Sequence, residues 1–275
     1  MGWLSSLFRK SKPTYDSFKP AWRIILAEQV YFYNSLSDEE KARFEKDMLR
    51  FLNTTKITGI KTTVTDEDIV LIAASAIIPI FAFPQWEYHN LEEVLLYPKH
   101  WDYNHNIGSQ QDIAILGQVG FGYMEGKMIL SKKALSLGFS NDTDKQNTAI
   151  HEFVHLIDKM DGSVDGIMVY LKEKAYVVPW LNLIDEKIIE INESNIDIRK
   201  YAGTNRAEFL AVAAEYFFER PKLLKKNHPL LYEYLELMFR QPLADKNLRN
   251  KIKPVRHFEP CPCGSGKKFR ECCMD

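Results

Sequence analysis

Cysteine is missing from the first 260 residues of this 275-residue chain: all four, Cys261, Cys263, Cys272 and Cys273, fall in the last 15. A framework of scattered disulfides is thereby excluded. Neither sign of charge is in excess, with 36 Lys and Arg against 37 Asp and Glu, so no global field draws the chain to nucleic acid or an anionic membrane and only local patches could do so. Long apolar runs are lacking too. The longest, Ile69 to Phe83, is 15 residues and contains Pro79, short of the roughly 20 needed to span a bilayer; it is expected to be a buried helix. The start, MGWLSSLFRK, lacks the charged lead, long apolar stretch and small-residue cleavage site of a signal peptide. A cytoplasmic location is the expectation.

What is present is ordinary globular composition, 45% hydrophobic and 27% charged, enough for a sizeable core. Trp3, Leu4, Leu7 and Phe8 beside Arg9, Lys10 and Lys12 could form an interfacial anchor or a self-docking terminus, and Met1-Gly2 with Ser6 fits the N-myristoylation pattern. Apolar positions at helical spacing follow over 20–34; Ser37 with Glu40 three residues on predicts a capping box opening a helix to about Leu52. The apolar helix runs from Asp66. Between 92 and 131, EEVLLYP, DIAILGQVGF and KMILS are short and β-rich between Gly, Asn and Pro turns, predicting a small sheet. Helical periods return near 143–160, 172–193, 205–219 and 228–240. Helices on both sides of one block of strands predict an α+β domain, mostly helical with a small sheet. The expected division is an N-terminal tail (1–19), a main domain (20–241), a basic linker (242–257) with Lys246, Arg249, Lys251, Lys253 and Arg256, and a cysteine-rich end (258–275).

The chemistry centres on HEFVHLID, residues 151–158. His151 and His155 lie one helical turn apart and leave the same face, so both imidazoles can bind one Zn²⁺, and Glu152 can act as the base for a metal-activated water. The apolar neighbours Ala149, Ile150, Phe153, Val154, Leu156 and Ile157 predict a buried helix, on which histidines need partners. A third ligand is required. In RAEFLAVAAEYFFE (206–219), Glu208 and Glu215 interrupt an otherwise apolar helix and share a face; two carboxylates there need pairing or a cation. Glu208 is the expected third ligand and Glu215 the group that orients a histidine. Asp161 is the competing ligand. Asp158 is either a similar acceptor for a histidine or a plain helix-end carboxylate.

HEFVHLID together with YAGTNRAEFLAVAAEYFFERPKLLKKNHPLLYEYL (201–235), and upstream EEVLLYPKHW and EGKMILS, resembles the Mlc titration factor A family of bacterial zinc-dependent peptidases over about residues 20–242. The resemblance implies a zincin-like metallopeptidase domain with one catalytic zinc on His151, His155 and Glu208, Glu152 as base, and a core similar to that of anthrax lethal factor. There a tyrosine seven residues before the ligand glutamate assists catalysis; Tyr201 stands at that position. Independently, a tyrosine hydroxyl beside a metal can stabilise an oxyanion, or Tyr201 simply anchors the helix start. The family has an additional histidine ligand before the Gly-rich block, where this chain has Asp112. Its members also bind the repressor Mlc. A strand such as Lys127–Ser131 could pair with an extended peptide substrate.

At the end, CPCGSGKKFRECC packs four thiolates at a density suited to tetrahedral zinc, Cys261, Cys263, Cys272 and Cys273 holding one structural ion in a small knuckle. It resembles the SEC-C motif of the translocation ATPase SecA. With Lys267, Lys268 and Arg270 it could dock an acidic protein surface, repressor-like or associated with translation or translocation, or RNA; nucleic acid is otherwise not expected. Two functions follow: a zinc metallopeptidase whose tail recruits substrate or partner, or a slow or non-catalytic relative that sequesters a regulator.

Overall fold

The computed structural model of the chain describes residues 14–99, 117–120, 122–140, 144–168, 171, 174–194, 196–244, 256–258 and 266–272. In chain order it forms α1 (Pro20–Gln29), α2 (Tyr31–Asn34), α3 (Asp38–Thr54), β1 (Lys56–Gly59), α4 (Asp66–Ile80), β2 (Glu93–Tyr97), β3 (Gly117–Val119), β4 (Lys127–Ser131), α5 (Lys132–Ser140), α6 (Thr148–Asp158), α7 (Lys174–Glu193), α8 (Arg206–Glu219), α9 (Pro221–Asn227) and α10 (Pro229–Phe239). This is an α+β arrangement dominated by helices.

Local chemistry sets several boundaries. Ser37 and Glu40 form the reciprocal capping box at the start of α3, and Thr65 and Asp68 form a second at α4, each satisfying amide donors that a helix start leaves open. Asp68 also accepts from Lys132 Nζ at 2.8 Å, tying α4 to the residue that follows β4. From Val70 to Ile80 α4 is buried throughout, as its unbroken apolar sequence requires. Gln241 donates its side-chain amide to the Ile78 carbonyl at 2.8 Å, one of the carbonyls the last turn of α4 cannot satisfy itself.

Three strands, β1, β2 and β4, are parallel and β3 is antiparallel, in the order β1-β2-β4-β3. Interior β4 is buried at four successive positions, Met128 to Ser131, so its side chains are covered on both faces. The expectation that Lys127–Ser131 receives a peptide is corrected here, because β2 takes one edge and β3 the other. Among the described residues, the open strand beside the site is β3. Three elements escape the sequence patterns: β1 is only four residues with Gly59 at its end, and α5 and α9 are short helices.

Helix α6 lies at the centre, packed on α8, α4 and α5 and against β3 and β4. Phe153, at its middle, is fully buried against Phe51 and Tyr88. Phe18 joins the core before α1, Tyr15 exchanges hydrogen bonds with Asn53, and at the other end the Ala244 amide donates to Tyr232 Oη at 2.9 Å. No helix among the described residues is long and apolar enough to cross a membrane.

Candidate metal centre

Two asparagines seat the two helices that carry the site. Asn147 caps α6, its side chain accepting from the Ile150 amide at 3.1 Å; Asn205 caps α8 and accepts from the amide of Glu208 itself at 2.9 Å. Glu208 therefore sits in the first turn of α8, held where that helix begins. On α6, His151 and His155 project from one face with their Nε2 atoms 3.1 Å apart. Glu208 Oε2 lies 3.0 Å from His151 Nε2 and 3.4 Å from His155 Nε2. One ligand atom from each of the three residues falls within 4.8 Å of the others.

The donor set, two imidazole nitrogens and one carboxylate oxygen, is that of a catalytic zinc site with a position left for water or substrate. The remaining ring nitrogens behave differently. His151 Nδ1 lies 2.8 Å from Glu215 Oε1, which fixes the ring as such partners of ligating histidines do. His155 Nδ1 is buried with no hydrogen-bond partner among the described residues. Burial works against charge on His151, yet its hydrogen bonds to Glu208 and Glu215 push its pKa up to about 10. A cation binding through Nε2 has to displace that proton, so its affinity falls with acidity. Burial pushes Glu208 up, but hydrogen bonds from both histidines outweigh it and hold the carboxylate well below its usual range.

These residues face a cleft of about 590 Å³. One wall is the open strand, Gly117, Gln118 and Val119; the others come from Val164 and Asp165, from Tyr201, and from the start of α8. Glu152 lines it too, only 5% exposed, and burial raises its pKa against the lowering influence of His151 and His155. That shift suits a carboxylate that must take up and release a proton. Gly117 lies directly over it: a Cβ at 117 would come within 2.5 Å of Glu152 Oε1. Tyr201 is 53% exposed on a 3-10 turn, Lys200–Gly203, its ring centre 6.0 Å from that of His151.

Asp158 does other work than orienting a histidine. Its carboxylate accepts from the amides of Gly166 (3.0 Å) and Ile167 (3.1 Å), pinning the loop that carries Val164 and Asp165 to the cleft; burial raises its pKa to about 6. Trp180 Nε1 donates to the Gly166 carbonyl at 2.7 Å from the other side. Asp161 stays outside the cleft lining and accepts from Ser163. Cys272 is half-buried after the turn Phe269–Glu271; Cys261, Cys263, Cys273, Asp112, the first 13 residues and most of the basic linker lie outside the described residues. Two participants carried no sequence signal strong enough to single them out: Gly117 and Asn147. Asn205 did carry one, since N-x-x-E before an apolar run is a helix-start pattern.

Fold and site thus define an α+β protein with a partly buried two-histidine, one-carboxylate centre opening on a cleft. The chain belongs to the glucose-regulated metallo-peptidase M90 family, whose model matches residues 5–240. A SEC-C motif matches residues 259–275. Among similar proteins, Mlc titration factor A of Escherichia fergusonii is 28% identical over 260 residues, 88% of this chain and 93% of the relative. The protein of the same name from Cronobacter sakazakii is 28% identical over 247 residues, 83% and 89% of the two chains. An uncharacterized protein of Synechocystis sp. is 27% identical over 228 residues, 78% and 82%.

Proposed function

We propose that this chain is a zinc-dependent metallopeptidase of zincin-like type that hydrolyses peptide bonds in the cleft of α6, α8 and β3. The observation that carries the reading is the convergence of His151, His155 and Glu208 beside a buried carboxylate, Glu152, on one accessible cleft. His151, His155 and Glu208 would hold the zinc. Bound there, the ion supplies a Lewis acid that polarises a carbonyl and makes water acidic enough to ionise near neutral pH. Glu152 accepts the proton of the attacking water and delivers it to the leaving amine. Tyr201, which also lines the cleft, donates its hydroxyl to the developing oxyanion. Glu215 holds His151 from behind. An extended substrate backbone pairs with β3, the outermost strand among the described residues, which replaces β4 in that role.

The domain occupying about residues 20–241 carries this chemistry, and Cys261, Cys263, Cys272 and Cys273 hold a second, structural zinc in the C-terminal motif. That motif docks a protein partner or substrate, with the basic linker at 242–257 before it. The protein works in the cytoplasm. A second reading has a specific observation behind it: relatives covering most of this chain are named Mlc titration factor A, and a protein that titrates a repressor acts by binding. In that case the cleft or the tail sequesters a regulator and hydrolysis is slow or absent.

Incubation of the zinc-loaded protein with a mixed peptide library, alongside Glu152→Gln, separates the two. New termini that depend on Glu152 support the peptidase. A chain that carries zinc at the histidine site and cleaves nothing supports sequestration.

A further inference from the structure

Glu215 is 1% exposed, and donors from three segments converge on it. The amide of Asn147, at the cap of α6, donates to Oε2 at 2.5 Å; His151 Nδ1 lies 2.8 Å from Oε1; and Arg199 Nη2 donates to the same Oε1. A histidine that ligates a cation through Nε2 is a neutral ring and offers its carboxylate an N–H dipole only. Arg199 is then the formal cation hydrogen-bonded to Glu215 among the described residues. Without it the carboxylate is a buried charge without a counter-charge, and such a group moves or draws in water.

The backbone around Arg199 is itself fastened. Asp197 accepts from Tyr216 Oη (2.6 Å), Asn227 Nδ2 (2.7 Å) and His228 Nε2 (2.5 Å), and its carbonyl accepts from Lys145 Nζ at 2.7 Å. Tyr216 directly follows Glu215 on α8. Residues 197 and 199 are thus anchored by consecutive residues of one buried helix.

We propose that Arg199 is a positioning residue for the metal centre: its guanidinium locks Glu215 in place, so that His151 presents Nε2 to the cation shared with His155 and Glu208. This rests on the reading of those three residues as a metal site. The sign of the effect sets it apart from plain electrostatics. Removing a positive charge near a cation relieves Coulomb repulsion and should, by that alone, tighten binding. Removing the brace of a ligating histidine loosens it, by about 10- to 100-fold.

The test is a cobalt(II) titration of the full chain, read through the visible bands of the nitrogen- and oxygen-ligated centre, which differ from the thiolate charge-transfer bands of a cysteine site. Arg199→Ala is expected to weaken cobalt binding at the histidine site about 10- to 100-fold and to alter those bands, with Arg199→Lys recovering part of the loss and Arg199→Gln none. Unchanged or tighter binding with an unaltered spectrum overturns the proposal. Should Arg199→Ala lose its helical circular dichroism, the Lys and Gln variants decide, and equal affinities in those two overturn it. A wild-type chain without the visible bands would instead overturn the metal-site reading, and this proposal with it.

Discussion

Each of the three glutamates that face inward from α8 meets a different environment, and the differences assign their behaviour. Glu208 meets two imidazoles, Glu215 meets one imidazole and Arg199, and Glu219 forms an ion pair with none of these: both its oxygens are buried, and the Gln146 amide and the charge of Arg199 offset that burial only in part. Burial, then the nearby Glu215 and Asp144, push its pKa up to about 8 from an ordinary value of 4.5. Between those values the folded chain keeps a proton that the unfolded chain has released. Stability is therefore highest at the acid end of that window and falls as pH rises from about 4.5 to about 8, by at most about 1.4 kcal/mol per pH unit. Glu219→Gln should flatten that fall, measured by urea unfolding at the two ends of the window, and a slope that stays the same would mean the group is solvated. Glu152→Gln tests chemistry at the same scale. It should leave zinc content at the histidine site intact and lower turnover by about 10²- to 10⁴-fold; loss of zinc instead would make Glu152 a ligand.

Among the elements, strand β3 matters beyond its three residues. Among the described residues it is the outer strand, its Gly117 lies against Glu152, and all three of its residues line the cleft. Gly117→Ala would bring a methyl within 2.5 Å of the Glu152 carboxylate and 2.8 Å of Thr148 Cγ2, so strand or carboxylate must shift. A displacement near 1 Å at a catalytic group lowers turnover by about 10²-fold. Steady-state kinetics with parallel zinc analysis should show that loss while metal is retained; wild-type kinetics in the variant would mean that β3 yields freely and does not set the position of Glu152. The loop after α6 is held more firmly, by Asp158 from one side and Trp180 from the other. Gly166 within it has φ +80°, and a Cβ there would lie 2.6 Å from the Arg206 carbonyl, so only glycine fits between that loop and the start of α8.

Across the described residues, one apolar core extends from Phe18 to Leu243 and Ala244, and near its C-terminal end it is tied by the Gln241 amide on α4 and the Ala244 amide on Tyr232. A chain ending at Ala244 should keep its melting temperature and lose one of two zinc ions, as measured by elemental analysis and thermal circular dichroism. A lower melting temperature would show that the cysteine motif stabilises the core and is not an independent module. Zinc falling from one ion to none would place the only metal in the tail and remove the basis for the peptidase reading.

Sequence by itself determined what rests on local spacing. The HExxH pair needs only a helix of 3.6 residues per turn to bring two imidazoles to one face, and Glu208 and Glu215 stood out because carboxylates on an apolar helix demand partners. Capping patterns at Ser37 and Thr65 are equally local, since every atom involved lies within three residues. Tertiary structure alone decided the rest. Arg199 reaches Glu215 across 16 residues and Asn147 reaches it across 68, contacts that no periodicity encodes. Asp158 was legible as a buried helix-end carboxylate but not in its partner, because the Gly166 and Ile167 amides reach it only after the chain turns at Gly162. Which strand lies outermost beside the cleft depended on sheet order: β4 has the better strand sequence, but its pairing on both sides leaves β3 outermost among the described residues. Helical spacing fixes which side chains share a face, while only the packing of α6, α8 and β3 fixes what that face meets.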